Sequence, residues 1–174
     1  MLIHRAAIAL GSNLGDSCQI LTSALETLDC LPSIRVEAVS DLYQTVAVGP
    51  PQPDYLNACA VLSTSLEPQG LLDTLLEVEA QFGRVRRERW GARLLDLDLL
   101  LFEDWVVEQT GLQIPHPRMV ERAFVLIPLA DVAANWVEPI SGKAIAFLVQ
   151  QLDCSGVQKI PLLLCPSVKS HPNF

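Results

Sequence analysis

Seven residues near the middle of this 174-residue chain, Asp96-Leu97-Asp98-Leu99-Leu100-Leu101-Phe102, carry two acids at a spacing that could do chemistry. In a strand the side-chain period is two. Asp96 and Asp98 then share one face, roughly 6.5–7 Å apart along the backbone. Leu95, Leu97, Leu99 and Leu101 are expected to face the other way, into a core. Two carboxylates so placed can converge on a pair of hard cations. Mg²⁺ takes one or two protein carboxylates and fills its octahedron with phosphate oxygens and water. Two such ions about 3.5–4 Å apart would suit phosphoryl transfer. Just upstream lie Arg84, Arg86, Arg87, Arg89 and Arg93, with Glu88 the single acid among them, so five of the chain's 12 basic residues fall within ten positions. Guanidinium forks match phosphate oxygens in planar, bidentate contact. The plainer account is a solvated loop, or arginines that simply neutralise the two aspartates. Trp90 and Gly91 weigh against it, because an indole beside phosphate-binding cations offers a face for a base or a lid over a ligand.

Other residues invite the same question. His116 is held between Pro115 and Pro117, which fix an extended turn and suit a positioned hydrogen-bond donor. Arg122 and Phe124 follow closely. Tyr55 and Asn57 alternate at the start of an apolar strand, directly after a stretch rich in proline. An asparagine can both donate to and accept from an amide-like heterocycle, and an aromatic ring can stack on one. Read alone, that pair would be one core aromatic and one turn asparagine. His4 and His171 sit near the termini and are discounted.

The elements that must position these groups can be read in order. Arg5–Leu10 reads as a buried strand ending at Gly11-Ser12-Asn13. Asp16 or Ser17 caps a helix whose apolar positions run to Leu28, and Pro32 stops it. Ile34–Val39 alternates as a strand continuing toward Tyr43. Thr45–Asp54 holds three prolines and a glycine and is a stiffened loop. Leu56–Leu66 is a strand. Pro68 opens a helix with a stripe of Leu71, Leu72, Leu75 and Leu76, extended to Phe82. Leu95–Phe102 is a strand, Trp105–Ile114 a small hairpin, and Arg118–Ala134 a helix broken by Pro128. Ser141–Leu152 is a last helix capped by Ser141. From Ser155 the pattern fades. Strand–helix–strand–strand–helix–strand is the split arrangement of ferredoxin-like α+β folds, here with added C-terminal helices and a small edge hairpin.

Composition narrows the classes. Half the residues are apolar and 18% charged, which excludes intrinsic disorder. The formal charge of −8 argues against a polyanion binder. No apolar run approaches the ~20 residues of a membrane span, and the N-terminal run is too short for a signal peptide, so a cytoplasmic location is expected. Five cysteines without C-x-x-C spacing read as reduced structural thiols.

Five segments occur in a recognisable order: Ala9-Leu10-Gly11-Ser12-Asn13-Leu14-Gly15; Pro53-Asp54-Tyr55-Leu56-Asn57; Arg89-Trp90-Gly91-Ala92-Arg93-Leu94-Leu95-Asp96-Leu97-Asp98; Ile114-Pro115-His116-Pro117-Arg118-Met119; and Arg122-Ala123-Phe124-Val125-Leu126. The chain resembles the 6-hydroxymethyl-7,8-dihydropterin pyrophosphokinases of folate biosynthesis. The resemblance implies a ferredoxin-like fold and transfer of the β,γ-pyrophosphoryl group of ATP to the pterin hydroxymethyl oxygen, releasing AMP. It implies two Mg²⁺ ions on Asp96 and Asp98. It places Arg84 and Arg93 on the transferring phosphates, and Arg86, Trp90, Leu99, His116 and Arg122 at the nucleotide. It assigns Thr45, Val48 and Asn57 to pterin hydrogen bonds, with Tyr55 and Phe124 sandwiching the ring. Gly83 and Gly91 bracket the basic segment, which fits a lid that orders on ATP.

The expected organisation is one catalytic domain over 1–152 and a partly flexible extension over 153–174. The expected partners are small molecules only, with no nucleic acid and no membrane, acting on a monomer. Two rivals are an RNA-binding ferredoxin-like module and an inactive nucleotide-binding homologue. The acidic total and the lack of paired exposed strand aromatics oppose the first. The intact aspartate pair opposes the second.

Overall fold

In a computed structural model, residues 1–47, 49–83 and 94–160 are described. Arg84, Arg86, Trp90, Arg93 and Val48, expected at the site, lie outside them, as does 161–174.

The first strand, β1 (His4–Ser12), is the spine of the sheet. Its Ala6, Ile8 and Leu10 enter one core and Ala7 enters a second, so both faces are covered and the run is apolar almost throughout. Helix α1 (Ser17–Asp29) follows, and of its two candidate caps Asp16 serves, accepting from Gln19 N at 3.1 Å. β2 (Ile34–Val39) and β3 (Tyr43–Thr45) are separate pieces along one side of β4 (Tyr55–Thr64). The expected continuous strand is thus interrupted. Irregular residues 40–42 separate the halves, a register shift falls inside β2 between Val36 and Ala38, and the Ser40 hydroxyl accepts from Cys59 N at 2.9 Å. Helix α2 (Pro68–Gln81) starts with its proline in the first turn. Its buried stripe is Leu71, Leu75, Val78 and Glu79, whereas Leu76 is 40% exposed and does not belong to it.

β5 (Asp96–Phe102) pairs antiparallel with the far side of β1. Leu95, Leu97 and Leu99 join the α1/α2 core as expected, but a shift in register opposite Ala7 and Ile8 sends Leu101 into the second core. β6 (Val107–Gln109) and β7 (Leu112–Ile114) form the expected hairpin, which leads into a cis peptide at Ile114–Pro115. A 3₁₀ turn (Met119–Glu121) precedes α3 (Ala123–Ala133). Pro128 lies inside α3 without breaking it. One N–H is lost there, and burial of Val125, Leu126, Leu129 and Ala133 holds the helix.

The C-terminal part differs most from the sequence reading. β8 (Val137–Glu138) and β9 (Lys143–Ala144) make a two-stranded ribbon where a helix from Ser141 was expected, and α4 spans only Ile145–Val149. The reason is Glu138, whose carboxylate accepts from Ile140 N at 2.9 Å and Ser141 N at 2.8 Å and so closes a turn instead of letting Ser141 cap a helix. Burial alone would raise this carboxyl. The Ser141 hydroxyl and the two backbone N–H groups outweigh it and hold the carboxyl below its ordinary value. A folded-state value below the unfolded one stabilises the fold fully above the ordinary carboxylate range, and the gain fades as pH falls through the folded value. Glu138→Gln is therefore expected to lower stability at pH 7 by about 1–3 kcal/mol. Its deficit against the parent in urea melts should shrink toward pH 3. An equal deficit at both pH values would refute the turn's dependence on charge.

Residues after Ser155 also depart from expectation. β10 (Val157–Lys159) adds to the edge of β3, fastened by an ion pair between Lys159 and Asp41. The sheet runs β10-β3-β4-β1-β5, with β2 also on β4, and every pairing is antiparallel. Helices α1 and α2 pack on one face; α3 and α4 pack on the other. It is a mixed α/β fold with an antiparallel sheet and, among the described residues, four α-helices. No helix among them is long and apolar enough to cross a membrane. Cys59 is buried and free, Cys30 and Cys154 are also free, and Cys18 is disulfide-bonded, contrary to the expected reduced thiol.

Candidate active site

Strand register explains the site. Gly11 of β1 lies between Asn57 of β4 and Asp96 of β5, and Ala9 lies between Cys59 and Asp98. Neighbouring strands are about 4.8 Å apart. A glycine and an alanine between the larger side chains therefore leave a floor roughly two strands wide. Above it is a cavity of about 370 Å³, within the range of small-molecule sites. A Cβ on Gly11 would meet Asn57 Oδ1 at 3.3 Å and Tyr55 Cδ1 at 3.7 Å. The small side chain is thus a condition of the cavity, a role that the sequence reading did not give to Gly11 or Ala9.

Asp96 and Asp98 form one wall, both half-buried and on the same face of β5, as the alternation predicted. Leu97 between them points into the opposite core. Among the described residues no third metal-ligating side chain joins them, which fits an ion that takes most of its ligands from phosphate and water. Leu99, expected at the nucleotide, is 4% exposed, packs in the α1/α2 core and does not line the cavity. Its position in the strand, one past Asp98, turns its side chain away.

Thr45, Tyr55 and Asn57 of β3 and β4 line the opposite side, and Phe124 of α3 lines the cavity as well. Asn57 Nδ2 donates to Thr45 Oγ1 at 2.9 Å. That bond fixes which way the amide faces and leaves Oδ1 beside Gly11. The proline-rich segment is pinned beyond it, because Asn13 Nδ2 donates to Gln52 Oε1 and to Pro53 O, each at 2.9 Å. Tyr43 supports β3 from below. Its hydroxyl donates to Asp131 Oδ2 at 2.7 Å, and burial first, then this bond, pushes it up from its ordinary value.

The third side comes from the turn before α3. Arg122 lines the cavity with its guanidinium 5.7 Å from the centre of the Phe124 ring. His116 stands beside it. Burial and then Arg122 hold its imidazole below the ordinary value, against the pull of Asp96. Nδ1 accepts from Arg118 N at 3.3 Å, which assigns the proton to Nε2, 4.0 Å from Asp98 Oδ2. His116 itself is not among the residues lining the cavity. Arg118 and Glu121 do line it, paired at 3.8 Å, and sequence reasoning missed both. The Pro-His-Pro-Arg run was the available signal, since a residue two after His116 must turn with it.

Two carboxylates, a guanidinium and two aromatic rings around one cavity suit a small molecule that carries both anionic charge and a flat ring. Comparison with known proteins names the family. Residues 7–134 match the model of the 7,8-dihydro-6-hydroxymethylpterin-pyrophosphokinase family. A protein of a Synechocystis species named 2-amino-4-hydroxy-6-hydroxymethyldihydropteridine pyrophosphokinase is 49% identical over 154 residues, covering 88% of this chain and 79% of its own. One of the same name from Pseudomonas aeruginosa is 42% identical over 161 residues, covering 92% and 99%. The fold is also that of the Plasmodium falciparum HPPK-DHPS wild-type structure, with a TM-score of 0.70 at 14% identity over 86% of this chain; the match spans 45% of that longer chain. The chain belongs to the hydroxymethylpterin pyrophosphokinase family.

Proposed function

We infer that this chain transfers the β,γ-pyrophosphoryl group of ATP to the hydroxymethyl oxygen of 6-hydroxymethyl-7,8-dihydropterin, in tetrahydrofolate biosynthesis. The observation that carries the reading is the row Asn57–Gly11–Asp96, which sets a heterocycle-binding amide and a metal-binding acid on either side of an open floor. In the reaction a bond forms between the hydroxymethyl oxygen and the β-phosphorus. The bond from that phosphorus to the oxygen bridging to the α-phosphorus breaks, AMP leaves with the bridging oxygen, and the hydroxyl proton is released. Such chemistry is chiefly positioning and charge neutralisation.

Each wall then has a task. Asn57 and Thr45, with Val48, hydrogen-bond the pterin edge, and Tyr55 and Phe124 stack on its faces. Arg122 and His116 bind the nucleotide phosphates from the α3 side. Arg84, Arg86 and Arg93 bring cations to the phosphates, with Arg84 and Arg93 at the group in flight, and Trp90 covers them. Asp96 and Asp98 hold two Mg²⁺ ions, which when bound neutralise the phosphate oxygens and orient the chain of phosphates. The two acids suit that task because both face the cavity and keep part of their surface open to it. The fold is of the ferredoxin-like class, a reading supported by strand order once β2 and β3 count as one strand. Action as a monomer in the cytoplasm completes the proposal.

Gly11→Ala is expected to raise the KM for the pterin about tenfold, because Asn57 must give way by a few tenths of an ångström. The KM for ATP should stay within twofold. A pterin KM equal to the parent's would show that Gly11 is not part of the floor. The function itself is tested by incubating the protein with ATP, Mg²⁺ and the hydroxymethyl dihydropterin. AMP and a pterin diphosphate in equal amounts are expected; ADP, or no nucleotide turnover, would contradict it.

A further inference from the structure

Glu79 on α2 is 0% exposed, a carboxylate in the midst of the α1/α2 core. Its Oε1 accepts from Leu97 N at 2.7 Å. Leu97 is the residue between Asp96 and Asp98, and among the described residues β5 is the last strand of the sheet on its side, paired with β1 alone. Among those residues no strand bonds to its outer edge. At this one residue Glu79 takes the place of that missing neighbour. An apolar side chain would fill the contact between α2 and β5 more cheaply, because a buried carboxylate is costly to desolvate. Stability alone is thus a poor reason for an acid here, while its location opposite both cavity acids is a specific one.

The geometry around it supports the same point. Gly83, with φ +76°, ends α2 through its N–H to Ala80 O at 3.0 Å. Leu94 side-chain atoms lie 3.7 Å and 3.6 Å from where a Cβ would stand on Gly83 and Gly15. The chain therefore returns to β5 next to the point where it left α2. One turn of helix before that junction and three residues after it, Glu79 and Leu97 join the two.

We propose that Glu79 is a positioning residue for the two cavity aspartates: by holding the Leu97 N–H it fixes the twist of the β5 edge that aims both carboxylates at one place. A strand edge free to rotate would carry both acids off together, and sites of this kind tolerate errors of only about 0.5 Å. Outer partners that orient metal ligands are typically worth 10–100-fold in metal affinity. The inference rests on the metal-holding role given to Asp96 and Asp98.

The test compares the parent with Glu79→Gln, Glu79→Leu and, as a control, Val78→Ala, a buried apolar neighbour on the same helix with no side-chain polar group to hold a backbone N–H. Two readouts are needed. Amide hydrogen exchange at Leu97 is measured in the free protein, and Mn²⁺ binding is measured by electron paramagnetic resonance in the presence of a non-hydrolysable ATP analogue. Glu79→Leu should lose Leu97 protection and bind Mn²⁺ ten- to a hundredfold more weakly, with the pterin KM within twofold. Glu79→Gln, whose amide oxygen can accept the same bond, should keep both within about threefold. Val78→Ala should lower the melting temperature and leave Mn²⁺ affinity unchanged. Parent-like Mn²⁺ affinity in Glu79→Leu would overturn the proposal. So would a Glu79→Gln protein that keeps Leu97 protection yet loses Mn²⁺ affinity tenfold, a result available even if the leucine variant does not fold. A parent that binds no Mn²⁺ at all would instead overturn the role of the aspartates, and this inference with it.

Discussion

Asp98→Ala should fold as the parent does and turn over about a thousandfold more slowly, and Asp96→Ala should do the same. Both side chains line an open cavity and neither fills a core, so their loss leaves packing intact. What is lost is one of two carboxylates that hold the cations neutralising the triphosphate. Removing a single preorganised electrostatic group from a transition state costs about 2.7–4 kcal/mol, or 10²–10³ in rate, and here the metal's contribution goes with it. Circular dichroism and a thermal melt should match the parent, while kcat at saturating Mg²⁺ collapses. Near-normal kcat in either variant at saturating Mg²⁺ would show that the acids do not hold the metal.

Asn57→Ala should act on the other substrate. Asn57 is 6% exposed, and its amide is oriented by the bond to Thr45. Truncation removes both a donor and an acceptor and leaves the Thr45 hydroxyl without that partner. A buried polar group left unpaired costs about 1–3 kcal/mol, and the bound heterocycle would be left in the same condition. The KM for the pterin should rise roughly 30–100-fold, with the KM for ATP within twofold, in steady-state assays that vary each substrate in turn. Equal rises for both substrates would mean that Asn57 supports the fold and not one ligand.

Much of this was legible in the sequence, for identifiable reasons. Asp96 and Asp98 fall on one face because a strand has a period of two, and nothing in the fold disturbs that period until the register shift beyond Leu99. Asp16 caps α1, and the proline-rich stretch stays a loop, because local chemistry decides both. Other features needed the fold. The use of Gly11 and Ala9 as a floor depends on which residues β4 and β5 bring alongside them. Glu138 closes a turn with backbone groups two and three residues on, which displaced the expected helix at Ser141. β10 is three residues long and is held by pairing with β3, a partner more than a hundred positions away. Leu76 reads as core by spacing alone, yet α2 is wide enough in its apolar stripe that Val78 and Glu79 face inward in its place. Arg118 entered the cavity because the turn at His116 carries it there.

The central claim is that the phosphate chain of ATP lies against Asp96 and Asp98 while the pterin lies over Gly11 beside Asn57. A crystal structure with a non-hydrolysable ATP analogue, Mg²⁺ and the hydroxymethyl dihydropterin measures it directly. Metal density bridging both carboxylates to β- and γ-phosphate oxygens, with the pterin ring between Tyr55 and Phe124, is the predicted result. Phosphates and metal bound elsewhere, with the two carboxylates touching only protein, would contradict it.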